Sequence, residues 1–363
     1  MTRPTCVVIL AAGEGTRMRS SRPKPLHHLC GRPMVMYVLD AAAHDEVRAT
    51  VVVVGQEANW VETALKERSR NDARLSFVEQ SEQLGTGHAV KVALPTISDE
   101  IGETDGDVLI LPGDIPLLRH STIGKLLEYH AESQAALTVL TAILEDPFGY
   151  GRMVYAKDGS LARIVEERDA TTDEKAITEI NTSIMVVRES LLGAALRLVN
   201  RQNSQNEYYL TDIVASLHDA GHQTNSMLLE DPREAVGVND RAQLAEAEGT
   251  LRERINDGWM RLGVTMWNPA ETYVDADVLI EPDVSLLPGT ILKGRCVVER
   301  GARIGPNANL TDCHVGKNAV VGTVEAVDAT VGDDALVKSF VVIGKGSHVE
   351  PGGVIASFDY HTR

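Results

Sequence analysis

Aromatic residues make up only 4% of this 363-residue chain, with three Trp and four Phe. Recognition by a platform of stacked rings is therefore excluded as its main theme. Positive charge is scarce as well: 35 Lys and Arg stand against 52 Asp and Glu, a net charge of −17. A surface of that sign repels nucleic acid and anionic lipid, both of which need a positive field. The four cysteines, Cys6, Cys30, Cys296 and Cys313, include no CxxC pair. Neither a disulfide framework nor a thiolate zinc site is expected from that spacing. No apolar run is long enough to span a bilayer, and the N-terminus has no charged segment followed by a long apolar one. These absences lead to the expectation of an acidic, cytoplasmic protein that binds neither nucleic acid nor membrane. Its length suggests about two domains.

What is present falls into two textures that meet near residue 265. Before it, short β-branched runs (Cys6–Leu10, Thr50–Val54, Val108–Leu111) read as strands buried on both faces. Helical patterns lie between and after them, at Met34–Ala43, Val61–Arg68, His88–Leu94 and Thr122–Ala131. Such alternation predicts an α/β domain. A hairpin-like part follows over 136–187, then a long helix over 240–262 with Leu244, Leu251, Ile255 and Leu262 at helical spacings. Asn239 or Asp240 would cap it. Beyond residue 270 an aliphatic residue recurs every six positions from Ile280 through Leu286, Leu292, Val298 and Ile304 to Leu310. The step slips, resumes at Val315, Val321 and Val327, slips again, and runs from Val331 to Ile355. Small residues (Val284, Thr290, Cys296, Ala302, Ala308) sit two places before the aliphatic ones. That is the hexapeptide period of a parallel β-helix, here with room for about four coils of eighteen.

The first strand runs into Leu10-Ala11-Ala12-Gly13-Glu14-Gly15-Thr16-Arg17-Met18, and Lys24-Pro25-Leu26 follows. Small residues let the backbone approach a ligand, and successive N–H groups can hold phosphate oxygens. Arg17 and Lys24 add two positive charges beside that loop, a local anion site in an acidic protein. The loop is neither GxGxxG nor GxxxxGK[ST], so dinucleotide and P-loop readings lose. A plain Gly-rich turn with solvated charges is the competing reading.

With those residues in view, the segment Leu10–Met18 followed by Lys24-Pro25-Leu26-His27 resembles the sugar-1-phosphate nucleotidyltransferases. It looks in particular like the uridyltransferase half of the bifunctional N-acetylglucosamine-1-phosphate uridyltransferases. Gln80-Ser81-Glu82-Gln83-Leu84-Gly85-Thr86-Gly87-His88-Ala89, Gly113-Asp114-Ile115-Pro116-Leu117, Gly149-Tyr150-Gly151-Arg152, Ile164-Val165-Glu166, Glu179-Ile180-Asn181-Thr182, Glu207-Tyr208-Tyr209-Leu210-Thr211-Asp212 and Gly237-Val238-Asn239 agree in order. The resemblance implies a Rossmann-like nucleotidyltransferase domain over 1–239, a connecting helix and linker over 240–269, and a short left-handed β-helix over 270–363. It implies that Leu10, Ala11, Ala12, Gly13, Gly15, Thr16, Gln80, Gly85 and Thr86 bind the nucleotide, with Arg17 and Lys24 as the catalytic cations. Gly151, Glu166, Asn181 and Thr182 would take the sugar, and Asp114 and Asn239 would hold Mg²⁺ through oxygen. The bland alternatives are a loop glutamine for Gln80, a turn residue for Asp114, a helix cap for Asn239 and an exposed acid for Glu166.

The implied reaction joins UTP to N-acetylglucosamine-1-phosphate and releases pyrophosphate. The same chemistry on another sugar or cyclitol phosphate, or with another nucleoside triphosphate, is the alternative; a non-catalytic sugar-nucleotide-binding subunit is the second. Two departures bear on the sugar: Pro112 stands before Gly113 where Tyr is frequent, and Ser183 follows Thr182 where Gly is usual. The family's basic, His- and Asn-containing acetyl-transfer motifs are not found in 270–363. The expectation is therefore a nucleotidyltransferase without acetyl transfer, whose coils serve assembly as a homo-oligomer, a trimer.

Overall fold

The structure is a computed structural model that describes residues 3–55, 58–68 and 74–362. The chain divides into two compact units, Met1–His27 with Pro33–Gln243, and His28–Arg32 with Leu244–Arg363.

Runs of Val, Ile and Leu build one nine-stranded sheet in the first unit. In chain order its strands are β1 (Thr5–Ala11), β2 (Val47–Val54), β3 (Leu75–Glu79), β4 (Asp107–Pro112), β5 (Leu137–Ile143), β6 (Arg152–Tyr155), β7 (Leu161–Val165), β8 (Glu179–Arg188) and β9 (Thr224–Leu228). They pair in the order β9-β5-β8-β4-β1-β2-β3, with β6 attached to β8 and to β7. The neighbours β4, β1, β2 and β3 are parallel, whereas β8 runs antiparallel to β4 and β5. The helices are α1 (Met34–Ala41), α2 (Ala58–Arg68), α3 (Thr86–Ile101), α4 (His120–Ser133), the single turn α5 (Thr172–Lys175), α6 (Glu189–Leu198), α7 (Asp212–Asp219) and α8 (Arg241–Arg261).

Alternation along each strand sends neighbours to opposite cores. Cys6, Val8, Val51 and Val53 face one core, closed by α3, α6 and α7; Val7, Ile9, Val52 and Val54 face the other, closed by α1, α2 and α4. Each such buried Val stabilises the fold by about 1.5–3 kcal/mol. That is why these strands carry almost no polar residue. The expected helix end at Leu94, before Pro95, is not where α3 stops. It continues to Ile101 because Ala93, Ile97 and Ile101 keep one face in the core, which outweighs the hydrogen bond Pro95 cannot donate.

In the second unit the six-residue period becomes a left-handed parallel β-helix of three sheets. Ile280, Leu286, Leu292, Val298, Ile304 and Leu310 all point inward, as do the small residues two places earlier. Inward residues Leu286, Ile304, Val321, Val337 and Ile355 pair from coil to coil, so the coils span 18, 17, 16 and 18 residues. The shorter coils shift one position. Ala326 rather than Val327 faces the core, and Val327 is 42% exposed. Within this unit Ile255 and Trp259 of α8 pack on the β-helix core, and the buried Asn256 Nδ2 donates to the carbonyls of Pro269 and Thr272 at 2.9 Å each. Leu262, expected on the buried stripe of the helix, lies past its end and is exposed. No described helix is long and apolar enough to cross a membrane.

Candidate active site

A cavity of about 680 Å³ opens in the first unit where β1 and β4 end. This is where parallel sheets place ligands, at the carboxyl ends of strands. Leu10, Ala12, Gly13 and Arg17 line it from the loop after β1; Gln80, Gly85 and Thr86 line it from the β3–α3 connection. Asp114 follows β4, Asn181 and Thr182 belong to β8, and Asn239 precedes α8. Eleven residues expected at the site thus line one cavity. Ala11 instead turns its methyl into the core, and Thr16 is exposed in a short 3₁₀ turn.

Lys24 does not itself line the cavity but is bonded to two residues that do. Its Nζ donates to Asn239 Oδ1 at 2.7 Å and forms an ion pair with Asp114 Oδ2. Two oxygens from positions 114 and 239 therefore converge on one cation. The neighbouring Asp240 explains why Asn239 is free to do so. Asp240 Oδ1 accepts from the N–H groups of Ala242 and Gln243, both at 2.9 Å, and so caps α8 itself. Gly15 makes room for the lysine stem. Its φ is +60°, and a Cβ there would lie 2.6 Å from Lys24 Cβ. Arg17 is exposed at the cavity wall and makes no ion pair among the described residues. Tyr150 also lines the cavity, within reach of the Asp114 charge. Burial pushes its phenol up, opposed by a hydrogen bond with the Gly237 backbone and reinforced by the charge of Asp114.

At the other end, Asn181 is buried, its N–H donates to the Gly151 carbonyl at 2.9 Å, and its Oδ1 accepts from Ser183 N–H at 2.9 Å. Thr182 Oγ1 is buried and donates to the Leu140 carbonyl at 2.6 Å. Gly151 and Glu166 stand one layer behind the wall. A Cβ on Gly151 would meet Ile164 Cγ2 at 2.9 Å and Glu166 Oε2 at 3.4 Å. Only a glycine leaves the space between the carboxylate and Asn181 open. Glu166 also lines a neighbouring cavity of about 700 Å³ with Asp169 and Asp212. Burial raises its pKa; the Thr211 hydroxyl, donating at 2.9 Å, opposes that, and Asp212 and Asp169 add to it.

The β8 ladder slips between Asn181 and Ile184, and Ser183 takes φ +63° there. A side chain in the left-handed region costs about 1 kcal/mol. Ser183→Gly is accordingly expected to raise stability by about 1 kcal/mol, seen as a higher urea midpoint with an unchanged slope. A lower midpoint would mean that the hydroxyl itself holds the bulge.

Several cavity residues carried no expected role from the sequence: Gln83, Phe148, Tyr150, Glu207 and Gln243. Gln83 Nε2 donates to the Ala12 carbonyl at 2.8 Å and so braces the loop after β1. Gln83 and Tyr150 lie inside motifs already singled out, which was a usable signal. Gln243, whose Oε1 accepts from Asn239 N–H at 2.8 Å, had none.

A mixed sheet with a small-residue loop after its first strand, two cations beside that loop and a pair of oxygens facing them is the framework of a nucleotidyltransferase. Residues 7–203 match the family model of the MobA-like NTP transferase domain. The chain is 44% identical over 351 residues to the bifunctional protein GlmU of Brevibacillus brevis, covering 97% of this chain and 74% of that protein. It is 42% identical over 348 residues to the bifunctional protein GlmU of Desulfitobacterium hafniense, covering 96% of this chain and 73% of the relative. The protein belongs to the GlmU family of sugar-1-phosphate nucleotidyltransferases.

Proposed function

We propose that the chain transfers uridyl from UTP to N-acetylglucosamine-1-phosphate, in the cytoplasm, and that the two ends of the one cavity hold the two substrates. The observation that supports this reading is that Arg17, Gln80, Gly85, Thr86 and Asn181 line one cavity, with Lys24 bonded to Asp114 and Asn239 of its wall and with Gly151 and Glu166 beside Asn181. In it, Leu10, Ala12, Gly13, Gly15 and Thr16 belong to the phosphate loop, with Ala11 supporting it from the core. Thr182 shapes the sugar end through its backbone, since its hydroxyl is spent on Leu140.

The sugar phosphate is mostly dianionic at neutral pH, its second pKa being about 6, so no general base is required. Its oxygen attacks the α-phosphorus in line, and pyrophosphate leaves. What the chain supplies is charge: Arg17 at the cavity wall and Lys24 behind Asp114 and Asn239 offset anion–anion repulsion and the charge growing on the leaving group. Asp114 and Asn239 are hard oxygen donors already gathered round one cation, a donor set that suits Mg²⁺. Among the described residues no cluster of three or more His, Cys, Asp or Glu is placed to hold a metal, so the remaining ligands would be water and phosphate. Bound there, Mg²⁺ would neutralise phosphate charge.

Pyrophosphate release over a matrix of nucleoside triphosphates and sugar-1-phosphates tests the reading, with turnover expected for UTP and N-acetylglucosamine-1-phosphate. Turnover with a different pair only would select the alternative that Pro112 and Ser183, both on the cavity wall, favour. No release with any pair would leave the non-catalytic reading. Acetyl transfer is tested separately with acetyl-coenzyme A, and none is expected. Homotrimer formation through the β-helix is supported by Val320, Leu336 and Val354, exposed on successive rungs of one sheet; light scattering at a monomer mass would rule it out.

A further inference from the structure

Gln80 is buried at 4% exposure on the wall of the cavity, directly after β3. Its Nε2 lies 3.1 Å from the Gly85 carbonyl oxygen and 3.1 Å from His88 Nδ1. The Gly85 oxygen can only accept, so the amide must present its NH₂ there. The second contact then requires His88 Nδ1 to accept too, which puts the ring proton on Nε2. Both amide hydrogens are thereby used inside the protein, and the carbonyl end of Gln80 is left for the cavity. The ring that takes the second hydrogen is itself held: His88 sits in the first turn of α3 and stacks on Tyr208, with centroids 6.4 Å apart.

We infer that His88 is a positioning residue that, together with the Gly85 carbonyl, fixes the direction of the Gln80 amide and thereby sets the preference for uracil over cytosine. The inference rests on the proposed use of UTP. Uracil offers an N3–H donor on its pairing edge, which an oxygen acceptor meets; cytosine offers a lone pair at N3, which the same oxygen repels. Were the amide free to turn, its NH₂ would suit cytosine equally well. His88 touches no substrate in this account and acts only through Gln80.

The test is the ratio of kcat/KM for UTP to that for CTP, with N-acetylglucosamine-1-phosphate as acceptor, in the full chain. His88→Ala is expected to lower this ratio at least tenfold, chiefly through a higher KM for UTP and a lower one for CTP. His88→Asn, whose amide oxygen can stand where Nδ1 stood, is expected to restore most of it. A ratio unmoved in His88→Ala, or equally low in His88→Asn, overturns the inference while leaving UTP as the substrate. Absence of any turnover with UTP overturns the proposed function instead. For that case, or if a variant misfolds, nitrogen-15 NMR of the unmodified protein decides independently. An unprotonated Nδ1 on neutral His88 is expected, and a proton on Nδ1 overturns the inference.

Discussion

Lys24→Met is expected to lower turnover by about 10²–10³-fold while changing nucleotide affinity less than tenfold, the signature of a charge used mainly in the transition state. The Lys24 ammonium is already paired with protein oxygens. It is held by Asn239 Oδ1 at 2.7 Å and by the Asp114 carboxylate. It must let go of both oxygens before they can hold a divalent cation, and once released it lies beside the loop that faces the phosphates. Ground-state binding therefore gains little from it, because each new contact replaces one lost. The gain comes when charge builds on departing pyrophosphate. The same exchange makes a second result follow. With Lys24 gone, nothing competes for Asp114 and Asn239, so Mn²⁺ added to the nucleotide-free variant is expected to bind more tightly, as read by calorimetry or electron paramagnetic resonance. Unchanged turnover would remove Lys24 from the reaction, and weaker Mn²⁺ binding would remove the exchange.

How much of this was legible in the sequence depends on whether a residue's role is set locally. Strand alternation and the six-residue period are local, and both sheet systems follow from them. The slip that turns Val327 outward and Ala326 inward is not, since two coils of different length had to close on the same core. Asn239 and Asp240 are equally good caps by residue type; only the fold shows Asp240 bonded to the helix and Asn239 to Lys24. Ser183 stands out in the sequence only as a residue where Gly is usual, and the bulge with its positive φ supplies the physical reason. Gly15 was visible as part of a small-residue loop, but its use, seating the Lys24 stem nine positions later, needed coordinates. The sugar-end residues were the least legible. Glu166 stands in a run of charges that reads as solvated, and it is the fold that sets its carboxyl behind Gly151 and under Thr211.

Glu166→Gln is expected to make the protein more stable and a poorer enzyme. Burial, then Asp212 and Asp169, hold the Glu166 carboxyl above its ordinary pKa, with the Thr211 hydroxyl only partly offsetting them. The folded state thus binds this proton more tightly than the unfolded chain does. Stability consequently falls as pH rises from the ordinary carboxylate range, near 4.3, through the raised folded value, above which the full penalty is present. Glutamine removes that penalty and can still accept from Thr211, so the thermal midpoint should rise at pH 7. The advantage should shrink as pH falls toward the ordinary range and the native carboxyl becomes protonated. If Glu166 accepts sugar hydroxyls, losing its charge weakens those bonds by about 1.5–3 kcal/mol, a rise of roughly ten- to a hundredfold in KM for the sugar phosphate. The KM for UTP should stay within a factor of about two, because Gln80 and Gly85 lie at the other end of the cavity. A variant that melts lower than the parent at pH 7 would show that the charge is not the strained element. An unchanged KM for the sugar phosphate would place the sugar away from Gly151 and Asn181.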